Sequence, residues 1–221
     1  MKLLDPHVHL RDWNQREDET LVHGLSVAWR AGISGLFEMP NTDPALTSRS
    51  TIERRIADAD RARTQLPALT GDPRSVEIFH GLYIGLTADT AQITEMVDLY
   101  RRLFPRTVGF KMYAGHSTGR IGIVRTSDQL RVWRALAECD YRGVVAVHAE
   151  REDVLRPEIP DSPGRYVHGD RRPVLAESSS VQTQLALAEA AGFRGTLHLC
   201  HVSSADAADL IIRERSAVPF V

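Results

Sequence analysis

His7-Val8-His9-Leu10-Arg11 sets two imidazoles and a guanidinium at alternate positions near the start of the chain. Alternate side chains of a strand share a face. In such a strand His7 and His9 can grip one metal ion together, and Arg11, in phase with them, can hold a carboxylate alongside. Met39-Pro40-Asn41-Thr42, Phe110-Lys111-Met112-Tyr113, Val147-His148-Ala149-Glu150 and Cys200-His201-Val202-Ser203 follow in order, each at the end of an apolar run. A lone histidine in an apolar strand is more often a hydrogen-bonded structural residue than a ligand. The ordered set, and not any single member, marks these positions as one site. Lys111 strengthens it, because a surface lysine is out of place inside Val108-Gly109-Phe110-Lys111-Met112-Tyr113.

Something must carry these residues to a common place, and the patterning indicates what. Short β-like runs alternate with segments of helical periodicity. Strands are expected at Leu3 to His9, Ile33 to Met39, Val76 to Ile84, Thr107 to Tyr113, Gly143 to His148 and Thr196 to Val202. Helices are expected around Glu17 to Ala31, Ser48 to Arg63, Thr90 to Phe104, Ser127 to Asp140, Leu175 to Ala191 and Ala205 to Arg215, with Gly32, Gly143, Gly192 and Gly195 as stops. That makes six βα units, and Ala217 to Val221 reads as the opening of a seventh strand. An open doubly wound sheet would carry a glycine-rich loop after strand one, and none is present. Metal-binding residue types recur instead at the C-terminal ends of strands one, four, five and six, where a (β/α)8 barrel gathers its chemistry. The expected fold class is therefore α/β, a (β/α)8 barrel cut short after six units.

The bulk composition fits an ordinary enzyme domain. With 221 residues, 43% hydrophobic and 25% charged, the chain can bury one sizeable core, and a single domain over 1–221 is expected. A net charge of −2 gives no general attraction to nucleic acid or to an anionic membrane. Cys139 and Cys200 cannot form a disulfide framework and read as buried thiols. No apolar run approaches the roughly 20 residues that span a bilayer, and no cationic leader precedes Asp5. A cytoplasmic location is the expectation.

The five segments, in this order and spacing, resemble the dihydroorotases of the amidohydrolase superfamily along essentially the whole chain. The resemblance implies two divalent metal ions, zinc being the expected one, with His7, His9, Lys111, His148 and His201 as ligands. It further implies that Lys111 is N6-carboxylated, since a carbamate offers two hard oxygens where an ammonium offers none. The implied reaction is reversible cyclisation of N-carbamoyl-L-aspartate to L-dihydroorotate in pyrimidine biosynthesis, through a hydroxide bridging the metals. Arg11 and Asn41 are the implied grips for the ring carboxylate of this small-molecule substrate. The arginine two residues after His9 speaks against hydantoinases and dihydropyrimidinases. The uninterrupted Met39-Pro40-Asn41-Thr42 speaks against allantoinase, the nearest alternative. A non-catalytic dihydroorotase-like partner protein is the rival from another class.

In three respects the sequence departs from the family pattern or selects within it. Only six residues precede His7, as in compact members that lack an N-terminal sandwich. Lysine at position 111 places the chain with the carbamate-using branch. The aspartate expected at strand eight to act as general acid and base would lie beyond Val221, so no residue is named for that role. Partners implied by the family are a second copy of the chain, as a homodimer, or an aspartate transcarbamoylase. His198 stands three residues before His201 and is expected on the opposite strand face. His23, His80 and His168 are assigned no metal role, and Gly115-His116-Ser117-Thr118-Gly119 reads as a loop beside the site.

Overall fold

A computed structural model describes residues 3–116, 121–164, 167–213 and 218–220. The chain divides into two compact units, one of residues 1–86 and 94–111, the other of residues 87–93 and 112–221.

The first unit is built on β1 (Leu3–Val8), β2 (Ile33–Glu38), β3 (Phe79–Gly85) and the greater part of β4 (Thr107–Tyr113). These strands are parallel and lie in chain order, without the reversal of order that defines a doubly wound sheet. The helices are α1 (Leu21–Arg30), α2 (Arg49–Thr70) and α3 (Thr90–Leu103). Thr20 caps α1 by accepting from the His23 amide at 3.2 Å, and Gly32 at φ +83° ends it. Ser48 and Thr51 form a reciprocal capping box at the head of α2. Leu21 and Leu25 of α1, Ala59, Ala62 and Leu66 of α2, and Leu36 of β2 pack with Leu10 and Ile78 into one apolar cluster. Burial of these leucines is worth about 1.5–3 kcal/mol apiece, and it presses both helices onto β2.

The second unit holds α4 (Thr126–Glu138), β5 (Val144–His148), the single turn α5 (His168–Arg171), α6 (Val174–Ala190), β6 (Thr196–Leu199) and α7 (Ala205–Arg213). β5 and β6 pair in parallel from Val144↔Thr196 to Val147↔Leu199. A buried amide chain fixes the helices: Trp133 Nε1 donates to Gln184 Oε1 at 3.0 Å, Gln184 Nε2 to Gln129 Oε1 at 2.7 Å, and Gln129 Nε2 to the Ile123 carbonyl at 2.7 Å. Phe220 makes an isolated parallel bridge to Leu197, where a seventh strand is expected to begin.

Several boundaries differ from expectation. Val76 lies in a 3-10 turn (Pro73–Glu77) capped by Asp72, so β3 starts only at Phe79. Residues 17–20 are loop, because the Thr20 cap delays α1 to Leu21. α2 runs on through Pro67 to Thr70 and stops at Gly71, φ +73°, not near Arg63. α4 ends with Asp140 at φ +50° and not at Gly143. Gly143 and Gly195 serve a close backbone approach: a Cβ on Gly195 would stand 2.4 Å from the Gly143 carbonyl oxygen. β6 ends at Leu199, three residues short of Val202. Of the expected loop at 115–119, residues 117–119 lie outside the described residues, as do Ala217, Val221 and the end of the last expected helix. Among the described residues, no helix is long and apolar enough to cross a membrane.

Candidate functional site

In the first unit His7 lies in β1 and His9 directly follows its end at Val8, one residue short of the expected strand, with the two ring centroids 5.3 Å apart and edge to face. Asn41, 3% exposed, follows Met39 and Pro40 past the end of β2. The Met39 amide donates to the Val8 carbonyl at 2.9 Å, so the β1–β2 ladder itself sets the position of Asn41. His9 Nδ1 and Asn41 Oδ1 are 2.8 Å apart. An amide oxygen only accepts, so the proton sits on Nδ1 and the lone pair of His9 is on Nε2, the arrangement of a metal-binding imidazole. Partial burial and the cationic Arg11 and Lys111 hold His9 below its ordinary pKa, against the opposing pull of Asn41 and Glu38.

Arg11 reaches this cluster by a route other than the expected one. β1 stops at Val8, Leu10 is buried, and Arg11, Asp12 and Trp13 take left-handed conformations with φ of 45°, 63° and 50°. Arg11 therefore stands in a turn and not in phase on the strand. Its Nη1 donates to the Asn41 carbonyl at 3.0 Å, which places the guanidinium beside Asn41 all the same. Lys111 is fully buried, near the end of β4 and in register with Gly85 of β3.

In the second unit His148 ends β5 and His201 follows β6, their ring centroids 4.9 Å apart and His148 Nδ1 3.2 Å from His201 Nε2. This is the separation of a hydrogen bond between the two imidazoles, and it brings both rings to one place. His201 has φ +40° and is exposed. That left-handed kink breaks the strand phase used to separate His198 from His201. The pair lines a cavity of about 300 Å³ with Glu150, His168, Arg172 and Glu177. Glu150 lies 3.6 Å from His148 Nε2 and pairs with Arg172. Burial pushes the Glu150 carboxyl up, but His148 and Arg172 outweigh it and hold it below the usual range. Glu177 of α6 accepts from the amides of Ser203 and Ser204 at 2.8 and 2.7 Å, fixing the backbone just past His201.

The structure thus brings the sequence-predicted histidines together in two pairs, one in each unit, while among the described residues no group of three or more His, Cys, Asp and Glu stands close enough to hold a metal ion. His23 is a surface residue bonded to Glu19, and His116 pairs with Glu152. Glu38 and Arg55, unnamed in the sequence reading, meet His80, which was given no metal role there: all three are buried, with Arg55 Nε bonded to both Glu38 oxygens at 3.1 and 2.9 Å and His80 Nε2 to Glu38 Oε2 at 2.9 Å. Their signal was three ionisable residues at positions patterned for a core. Neither periodicity nor motif says that they meet.

Comparison with known proteins finds similar chains. A dihydroorotase of Thermococcus kodakarensis is 29% identical over 215 residues, covering 96% of this chain and 41% of its own length. An allantoinase of Salmonella gallinarum is 29% identical over 234 residues, covering 98% and 45% respectively. The L-hydantoinase of Arthrobacter aurescens superposes with a TM-score of 0.71 at 24% identity, over 95% of this chain and 43% of that one, and so shares the fold. The chain thus spans less than half the length of these relatives. No family model matches it. The chain is thus similar mostly to dihydroorotases, at 26–29% identity over nearly its whole length in three archaeal examples, and it shares a parallel α/β fold with a solved hydantoinase.

Proposed function

We propose that this chain serves a dihydroorotase, the metal-dependent interconversion of N-carbamoyl-L-aspartate and L-dihydroorotate. The observation that carries this reading is the Arg11–Asn41–His9 cluster, which sets a carboxylate-binding guanidinium beside a ligating imidazole. His7 and His9 would hold one divalent ion and His148 and His201 another, zinc suiting the imidazole donors. Lys111, carboxylated on Nζ, would add the anionic oxygens that His7 and His9 lack. Bound divalent ions polarise a ring amide carbonyl and activate water at neutral pH.

The chain's own residues orient the substrate. Arg11 has five donors in a fixed fork and spends one on the Asn41 carbonyl, leaving the geometry for a two-point grip on a carboxylate. Asn41 accepts from His9 through Oδ1, so its Nδ2 end is the one with donor character toward an anion. Burial of Lys111 suits carboxylation on chemical grounds, because an interior ammonium is costly and the carbamate exchanges it for an anion that a metal can neutralise.

Similarity to an allantoinase at the same identity keeps allantoin as a second candidate substrate. The two readings separate in a turnover assay of the protein carrying this chain, with zinc and bicarbonate supplied. Dihydroorotate turned over well in excess of allantoin, and Arg11→Met raising KM about 100-fold through loss of a charge-assisted grip, would bear out the first. Preferential hydrolysis of allantoin, or an R11M variant indifferent to the carboxylate, would replace it. A cytoplasmic location, and assembly as a homodimer or with an aspartate transcarbamoylase, belong to the same proposal.

A further inference from the structure

Glu38, Arg55 and His80 form a wholly buried ionic cluster inside the first unit, and its geometry points outward to the site. A buried ion pair is weak evidence of stabilisation, since apolar residues of equal volume usually do as well or better. This one is also incompletely satisfied: Arg55 Nη1 and His80 Nδ1 are buried with no hydrogen-bond partner. A half-satisfied network is a poor stability device. Its use must be sought in what it holds.

Two segments meet at Arg55. Its guanidinium takes Glu38 through a fork, and Glu38 is the last residue of β2, three positions before Asn41. The same guanidinium lies 5.0 Å from the Trp13 ring centroid, with Arg54 at 4.7 Å. Trp13 Nε1 donates to Asp58 at 2.8 Å, so consecutive positions of one α2 turn and a residue one turn further on seize a single indole. Trp13 closes the left-handed run that begins at Arg11. Non-glycine residues held left-handed cost about 1 kcal/mol or more each and persist only where their surroundings over-determine them. Here Asp12 is bonded to Gln15, Glu19 and Leu21 at the middle of the run, and Asp58, Arg54 and Arg55 hold its Trp13 end.

We propose that Arg55, through Glu38 and Trp13, is a positioning residue that holds Asn41 and Arg11 in the relation required to bind a carboxylate beside His9. Identifying the anion rests on the dihydroorotase reading. The clamp itself does not.

The test therefore uses neither metal nor substrate. Hydrogen exchange of the Trp13 indole N–H and the Met39 amide is followed by NMR in the purified chain, with Trp29 and Trp133 as internal references. Two variants are compared: Arg55→Lys, which keeps the charge and removes the fork, and the apolar pair Glu38→Met with Arg55→Met. The expected result in either folded variant is exchange about tenfold or more faster at Trp13 and Met39, a local opening that leaves Trp133 unchanged. The Asn41 side-chain resonances should shift with it. Unchanged exchange at Trp13 and Met39, or equal acceleration at all three indoles, would reduce the cluster to a structural element and overturn the proposal. Should R55K fail to fold, the apolar pair gives the same readout, and failure of both to fold would likewise make the role structural.

Discussion

The two histidine pairs are held in contrasting ways. His7 and His9 sit where β1 meets β2; a buried asparagine fixes the His9 tautomer, and a buried ionic cluster stands behind that asparagine. His148 and His201 meet at the rim of a polar cavity, where they are hydrogen-bonded to each other and the backbone beyond is pinned by one partly exposed carboxylate. The first pair is organised before any ion arrives. The second must give up its mutual hydrogen bond and reorient its rings, and preorganisation of this kind governs affinity. A stronger site is expected in the first unit and a weaker one in the second.

The largest effect should come from Lys111, which belongs to neither pair and would supply donors that imidazoles cannot. Lys111→Met is expected to abolish turnover and to erase a carbamate resonance in carbon-13 NMR after labelled bicarbonate is added. A carbamate signal surviving in K111M would assign the modification elsewhere and undo the ligand set.

Asn41→Ala sharpens the contrast from the tighter side. Removing the group that orients a ligating histidine typically weakens metal binding about 10- to 100-fold, so chelator competition should show that loss at the first site alone. A loss shared by both sites would mean that the pairs are not separately organised. The smallest effect is expected at Glu177. Its folded carboxyl is held below the usual range, burial raising it but Ser203 and Ser204 lowering it more. A depressed pKa contributes stability above the ordinary carboxylate value and loses it as pH falls through the folded value. Thermal melts of Glu177→Gln should therefore show a flatter acid limb and a loss at neutral pH of no more than about 1 kcal/mol, given its exposure. A steeper acid limb would reverse the sign of this argument.

Legibility in the sequence follows the range of each interaction. His7 and His9 could be paired from strand period alone, and the burial of Lys111 from its apolar neighbours, because both are properties of a single strand. Arg11 was assigned to the right neighbourhood for the wrong reason: the left-handed run at 11–13 has no glycine to announce it. The run is held both by local bonds of Asp12 to Gln15, Glu19 and Leu21 and by α2, some forty residues away in sequence, which takes the Trp13 indole. The meeting of Glu38, Arg55 and His80 went unread on the same ground, since pairing them requires knowing that β2, α2 and β3 are neighbours. The expected helix from Ser48 to Arg63 is too short, since α2 accommodates Pro67, continues to Thr70 and is ended by Gly71.

Zinc titration of the protein carrying this chain, with ligand variants compared side by side, tests the central claim most directly. About two ions per chain are expected. His9→Ala should remove the tighter one, and His148→Ala or His201→Ala the weaker. Binding unaffected by all three substitutions, or a single site lost equally in each, would contradict the assignment of two separately held histidine pairs.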